Sequence, residues 1–93
     1  MVGCWRSTWN DGNGNVTITI QLNSDGQFQQ ENILIDVGAN LMNPIRRFNY
    51  SGTWILDGNY LIKRDENGSR STYELISPYQ MQLVGSSVVY GRC

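Results

Sequence analysis

The sequence predicts an all-β chain folded as a small eight-stranded antiparallel up-and-down barrel. Three observations carry that expectation. Turn-forming residues recur at close, even intervals along the 93 residues. The segments between them are short, alternating and rich in β-branched and aromatic side chains. No stretch has a convincing helical period, and residues 39–47 have room for one helical turn at most. A chain of this length is expected to form one domain, residues 1–93, with a modest core that calls for covalent reinforcement.

Taken in order, residues 3–9 form the first strand, ended by Asp11-Gly12-Asn13-Gly14-Asn15, whose residues tolerate positive φ. Val16, Ile18, Ile20 and Leu22 then alternate with Thr17, Thr19 and Gln21, the period of two that a half-buried strand requires. Ser24-Asp25-Gly26 turns the chain into a third strand, 27–35. A longer connection runs from there to about Pro44, where Gly38, Asn40, Asn43 and Pro44 interrupt any strand. Strand four is expected at 48–56 and strand five at 60–64, joined by Asp57-Gly58-Asn59; Asp65-Glu66-Asn67-Gly68-Ser69 leads to strand six, 71–76. Ser77-Pro78 and Gly85-Ser86-Ser87 bracket strand seven, 79–84, and residues 87–92 close the series. Eight hairpin-linked strands laid flat would leave two exposed edges, and closure removes both.

The composition narrows the chemistry. There is no His, which removes the serine and cysteine triads and dyads that use an imidazole base, histidine-ligated metals and the histidine pH switch. Two cysteines are too few for a thiolate zinc site, and no phosphate-binding or nucleophile-elbow motif occurs. The expectation is no enzyme, no cofactor and no metal. Seven Lys+Arg against eight Asp+Glu give a net charge of −1, which argues against nucleic acid as a partner. No apolar run is long enough for a helical membrane span. Asp11-Gly12-Asn13-Gly14-Asn15 imitates the start of a calcium loop, but Val16 and Leu22 stand where the loop needs Gly and Glu, so a turn is the expectation.

Several segments are similar to known sequence patterns. Gly3-Cys4-Trp5 has the form of the G-x-W signature, and residues 51–61, SGTWILDGNYL, look like the second-half hairpin of small bacterial lipocalin-like domains. Leu22-Asn23-Ser24-Asp25-Gly26-Gln27-Phe28 is similar to their F-x-x-D-G-x-F hairpin, with Leu22 in place of the first Phe. The chain therefore resembles a small bacterial lipocalin-like, calycin-type β-barrel domain along nearly its whole length. It lacks the long strands and C-terminal helix of the classical lipocalins. The resemblance implies that Arg92 packs across the Trp5 indole at the closed end of the barrel.

Cys4 on the first strand and Cys93 after the last would meet in a closed barrel; a bridge and two free thiols are both open at this stage. A bridge sets paired positions of the first and last strands to sum to 97, placing Trp5 opposite Arg92, Ser7 opposite Tyr90 and Trp9 opposite Val88. It also implies an oxidising compartment, and hence export to the periplasm, outer envelope or exterior after removal of a signal segment not present here. The interior of so small a barrel is either filled by Trp5, Trp9, Phe28, Trp54, Tyr60, Tyr73 and Met81 or open at one mouth. In the second case Trp54, Tyr60 and Tyr73, with Leu41 and Met42 of the long connection, are the expected ligand-binding residues. Ile45 is grouped with Leu41 and Met42 as a mouth cap or partner contact.

Two functions are expected from these readings. One is a non-catalytic exported binding module for a small apolar ligand or a cell-envelope component. The other is a secreted protein-interaction module, such as an enzyme inhibitor or immunity-type protein.

Overall fold

A computed structural model describes residues 1–10, 12, 14–36 and 45–93. These form eight strands: β1 (Gly3–Asn10), β2 (Gly14–Leu22), β3 (Gln27–Asp36), β4 (Ile45–Asp57), β5 (Tyr60–Asp65), β6 (Arg70–Ser77), β7 (Gln80–Leu83) and β8 (Val89–Arg92). Each strand pairs antiparallel with its sequence neighbour, and β1 pairs with β8, so the sheet closes into a barrel. The turns expected around residues 24–26, 58–59, 66–69, 78 and 85–87 fall between strands, whereas Gly14 and Asn15, expected in a turn, begin β2. The largest departure is the start of β4, three residues earlier than expected. Ile45 therefore belongs to a strand, where it stands opposite Ile35 and is half exposed, rather than to a loop. Leu41 and Met42 lie outside the described residues.

Alternation decides what is inside. Trp5, Ile20, Leu22, Phe28, Leu61, Tyr73, Met81 and Tyr90 are buried and form one cluster, with Met1, Ile18, Trp54, Leu75, Leu83 and Val88 packed against it. The rings of Tyr73 and Tyr90 meet edge to face, with centroids 5.4 Å apart. The lower barrel is thus filled by side chains, as an eight-stranded barrel of this width allows. The Trp54 indole N–H donates to the carbonyls of Asn23 and Gln27, which ties β4 to the β2–β3 turn.

The closing seam is short. β1 and β8 pair at Trp5 with Arg92 and at Arg6 with Gly91, in the register that sums to 97. The Cys4–Cys93 disulfide is formed across it, with Cα atoms 5.2 Å apart, and the Cys93 amide donates to the Cys4 carbonyl. The Arg92 guanidinium lies 4.2 Å from the centroid of the Trp5 ring and donates to the Val2 carbonyl. Gly3, at φ +129°, makes this possible: a Cβ there would stand 2.7 Å from Arg92 Nη1. The ladder does not continue to the Ser7–Tyr90 and Trp9–Val88 pairs expected from that register. β8 starts only at Val89, because residues 84–88 fold back on β7, the Leu83 amide donating to the Val88 carbonyl and the Gln82 side chain to the Ser86 carbonyl.

The strands are unequal. β2, β3 and β4 have 9, 10 and 13 residues, whereas β7 and β8 have four each. β4 pairs with β5 through residues 52–57 alone. The first four strands consequently run past the other four, and the molecule measures 45 × 25 × 22 Å. Gly52 marks the point where they part: a Cβ there would collide with the Arg64 carbonyl oxygen and lie 2.8 Å from the Asp65 Cα. That is close approach of two backbones, which only glycine permits. Gly52→Ala is expected to destabilise the barrel by roughly 2–4 kcal/mol, as overpacking against backbone does. Urea unfolding checks this, and an unchanged midpoint would show that β5 does not approach so closely.

Candidate functional site

The two ends of the barrel differ in chemistry. At the end carrying the two termini, Trp5, Leu22, Phe28 and Trp54 close the interior. From there towards the other end, paired residues of the long strands share an inward face: Trp5, Ile20, Gln30 and Tyr50 form one row, and Ser7, Ile18, Asn32 and Phe48 the next. Trp9, Val16, Leu34 and Arg46 form the outermost row. The rows change from core to polar cup to half-open apolar wall over about 13 Å, at roughly 3.3 Å per residue.

The cup is a concavity of about 140 Å³ lined by Phe28, Gln30, Asn32, Tyr50, Lys63, Asp65, Ser69 and Ser71. At its base is Lys63, buried with only 5% of its surface exposed. Period-two alternation puts it there, two residues beyond buried Leu61 on β5 and across from Ser71 on β6. Its ammonium donates to the Gln30 side-chain oxygen and lies 5.0 Å from the Phe28 ring centroid and 5.2 Å from that of Tyr73. Gln30 in turn donates to Asn32 at 2.8 Å. Burial lowers the Lys63 pKa to about 8, against the opposing pull of Asp65. Burial also raises the Tyr73 hydroxyl well above its ordinary value and pushes Tyr90 up to about 12. Neither tyrosine is therefore poised as an acid or base near neutral pH.

The residues expected to bind ligand are dispersed. Tyr73 is a core residue, and Trp54 is half buried at the closed end with its N–H already used. Tyr60 is 45% exposed at the start of β5, by the same end as Trp54. The structure does not gather these three into one pocket. Trp5 and Arg92, in contrast, stack as the resemblance implies. Lys63, Gln30 and Asn32 were not among the expected site residues. The available signal was a lysine at an inward position of an alternating strand, Leu61-Ile62-Lys63.

A larger concavity, about 520 Å³, is an open trough lined by Arg6, Thr19, Gln21, Gln29, Glu31 and Asn49 among others. Its charges are surface charges, with Arg6 already bonded to the Thr19 hydroxyl. It lacks the buried, desolvated group that marks the cup. No group of three or more metal-ligating side chains occurs among the described residues.

Fold and disulfide together define a closed eight-stranded antiparallel barrel of lipocalin-like architecture. No family model matches the chain, and no curated protein matches it either. Among solved structures it is similar to the Cpx pathway activator NlpE from Escherichia coli, with a TM-score of 0.68 at 20% identity. That likeness covers 90% of this chain and 41% of the other, and it shows a shared fold. The chain spans less than half the length of that neighbour.

The buried ammonium costs stability. With a pKa near 8 in the folded barrel and 10.5 when unfolded, Lys63 is charged in both states below pH 8, and the full penalty, roughly 3 kcal/mol, stands there. Between pH 8 and 10.5 the unfolded chain holds a proton that the folded one has lost, so this group makes stability rise with pH. Lys63→Met is expected to be more stable at pH 7 by about 1–3 kcal/mol, with the gap narrowing by pH 9.5. Urea unfolding of both proteins from pH 7 to 9.5 measures it. A less stable variant would show that Lys63 holds the barrel together.

Proposed function

We propose that the protein is a non-catalytic, exported binding module, a member of the small bacterial lipocalin-like domains, whose recognition surface is the open end of the barrel. One observation carries this: the inner face of the overreaching β1–β4 sheet has no described strand across from it. Trp9, Val16, Ile18 and Leu34 are only half buried there, and Phe48 is 43% exposed. An apolar face continuous with a polar cup is what a small ligand with an apolar body requires. The Cys4–Cys93 bridge is compatible with an oxidising compartment and hence with export. Occurrence of this barrel shape in a pathway activator, NlpE, supports recognition rather than turnover as the role.

A protein partner is the second reading. Among the described residues no strand pairs with the outer side of β4 at residues 47–50, and an extended segment of an inhibited or regulated protein could add a strand to that edge.

The test uses the uncharged fluorescent probe N-phenyl-1-naphthylamine. The expected result is saturable binding to the oxidised protein, weakened at least tenfold by Phe48→Asp or Leu34→Asp without loss of the fold by circular dichroism. Absence of saturable binding, or binding indifferent to both substitutions, would overturn the ligand reading.

A further inference from the structure

Within the proposed binding function, on which this step rests, the cup has a chemistry of its own. We infer that Lys63 anchors the head group of an amphiphilic carboxylate, whose apolar chain lies along the inner face of the β1–β4 sheet.

An ammonium has three N–H donors and needs acceptors or water when buried. Lys63 has one hydrogen-bonding acceptor, the Gln30 side-chain oxygen, and two aromatic faces, Phe28 and Tyr73. No carboxylate forms an ion pair with it among the described residues. Asp65, the nearest opposing charge on its own strand, is committed elsewhere: one of its oxygens accepts from the amides of Asn67 and Ser69, both at 2.9 Å, which holds the β5–β6 turn. Glu66 on the same turn takes the Ser51 hydroxyl. The remaining faces of the cup come from Asn32 and Tyr50 on β3 and β4, from Ser69 in the turn and from Ser71 on β6, all of them uncharged hydrogen-bonding side chains. The cup therefore holds the Lys63 ammonium at its base and, at its β5–β6 rim, the Asp65 carboxylate tied to the turn amides, with uncharged hydrogen-bonding side chains around the rest.

A carboxylate entering from the mouth would take a charge-assisted hydrogen bond from Lys63 and further bonds from Ser71 or Asn32. The space, about 140 Å³, suits one head group and the first carbons behind it rather than a whole ligand. The rest of the apolar chain meets Ile18, Leu34, Phe48 and Trp9, which line the only described wall above the cup. Gln30 to Leu34 spans about 13 Å of strand, the order of a decanoate chain. A quaternary ammonium amphiphile would meet the wrong charge, and an alcohol would gain only the wall.

The experiment displaces N-phenyl-1-naphthylamine from the oxidised protein at pH 7 with sodium decanoate, decan-1-ol and decyltrimethylammonium bromide, each kept below its micelle concentration. Decanoate is expected to compete at least tenfold better than decan-1-ol, with decyltrimethylammonium the weakest of the three. Lys63→Met should bring decanoate down to the level of decan-1-ol while leaving decan-1-ol unchanged, a split that a merely structural lysine would not produce. Ser71→Ala should weaken decanoate selectively by a smaller factor. Equal competition by decanoate and decan-1-ol on the native protein overturns the head-group assignment and leaves the binding surface standing. Equal loss of both ligands in Lys63→Met overturns it also, since the lysine would then only shape the barrel. Failure of the probe and all three amphiphiles to bind removes the binding reading and this assignment together.

Discussion

The structure depends on how the first and last strands are held together. β1 and β8 share only two paired positions, too few for a ladder to secure the barrel by backbone hydrogen bonds alone. Three further ties meet at the same place: the Cys4–Cys93 bridge, the Arg92 guanidinium over the Trp5 ring, and the bond from Arg92 to the Val2 carbonyl. A bridge joining residues 89 apart removes conformational freedom from almost the whole unfolded chain, worth up to about 4–5 kcal/mol on loop-entropy grounds. The stacked guanidinium adds about 0.5–2 kcal/mol. Gly3 serves the same closure, because any side chain there would displace Arg92.

Closing the barrel at one end frees the other. With Trp5, Leu22, Phe28, Leu61, Tyr73, Met81 and Tyr90 filling the lower interior, stability does not require the upper rows to be apolar throughout. The upper rows depart from an optimum for folding. A lysine is buried against two rings at a cost of a few kcal/mol, and apolar side chains stand on a sheet face with no described strand across from it. Sites that sacrifice stability in this way are where binding chemistry is generally found. Gly52 links the two regions: it lets the short strands turn away from the long ones, and so sets where the filled barrel stops and the open wall begins.

The architecture was legible because its signals are local. Turn residues such as Asp25-Gly26 and Gly58-Asn59 and the alternation of Val16 to Leu22 specify hairpins without reference to distant parts of the chain, and eight such strands leave closure as the economical solution. The pairing of Cys4 with Cys93 becomes natural once the ends are adjacent. Relative strand length was not legible in the same way. Ile45-Arg46-Arg47 reads as connection because Pro44 and Asn43 precede it, and only pairing with Ile35, Leu34 and Ile33 makes it strand. The site was obscured for a different reason: aromatic residues point to Trp54, Tyr60 and Tyr73, whereas the chemistry lies in Lys63. A lysine on a short strand reads as a surface charge until the inward phase of Leu61 is carried two residues forward.

Hydrogen exchange on the oxidised and the reduced protein tests the closure most directly. If the seam depends on its covalent and cation–π ties, reduction should speed exchange at the amides of Arg6, Gly91 and Cys93 at least tenfold, while Ile18 and Ile20 in the β1–β2–β3 ladder keep their protection. Seam amides that exchange as slowly without the disulfide as with it, or a seam and ladder that lose protection by the same factor, would contradict the account.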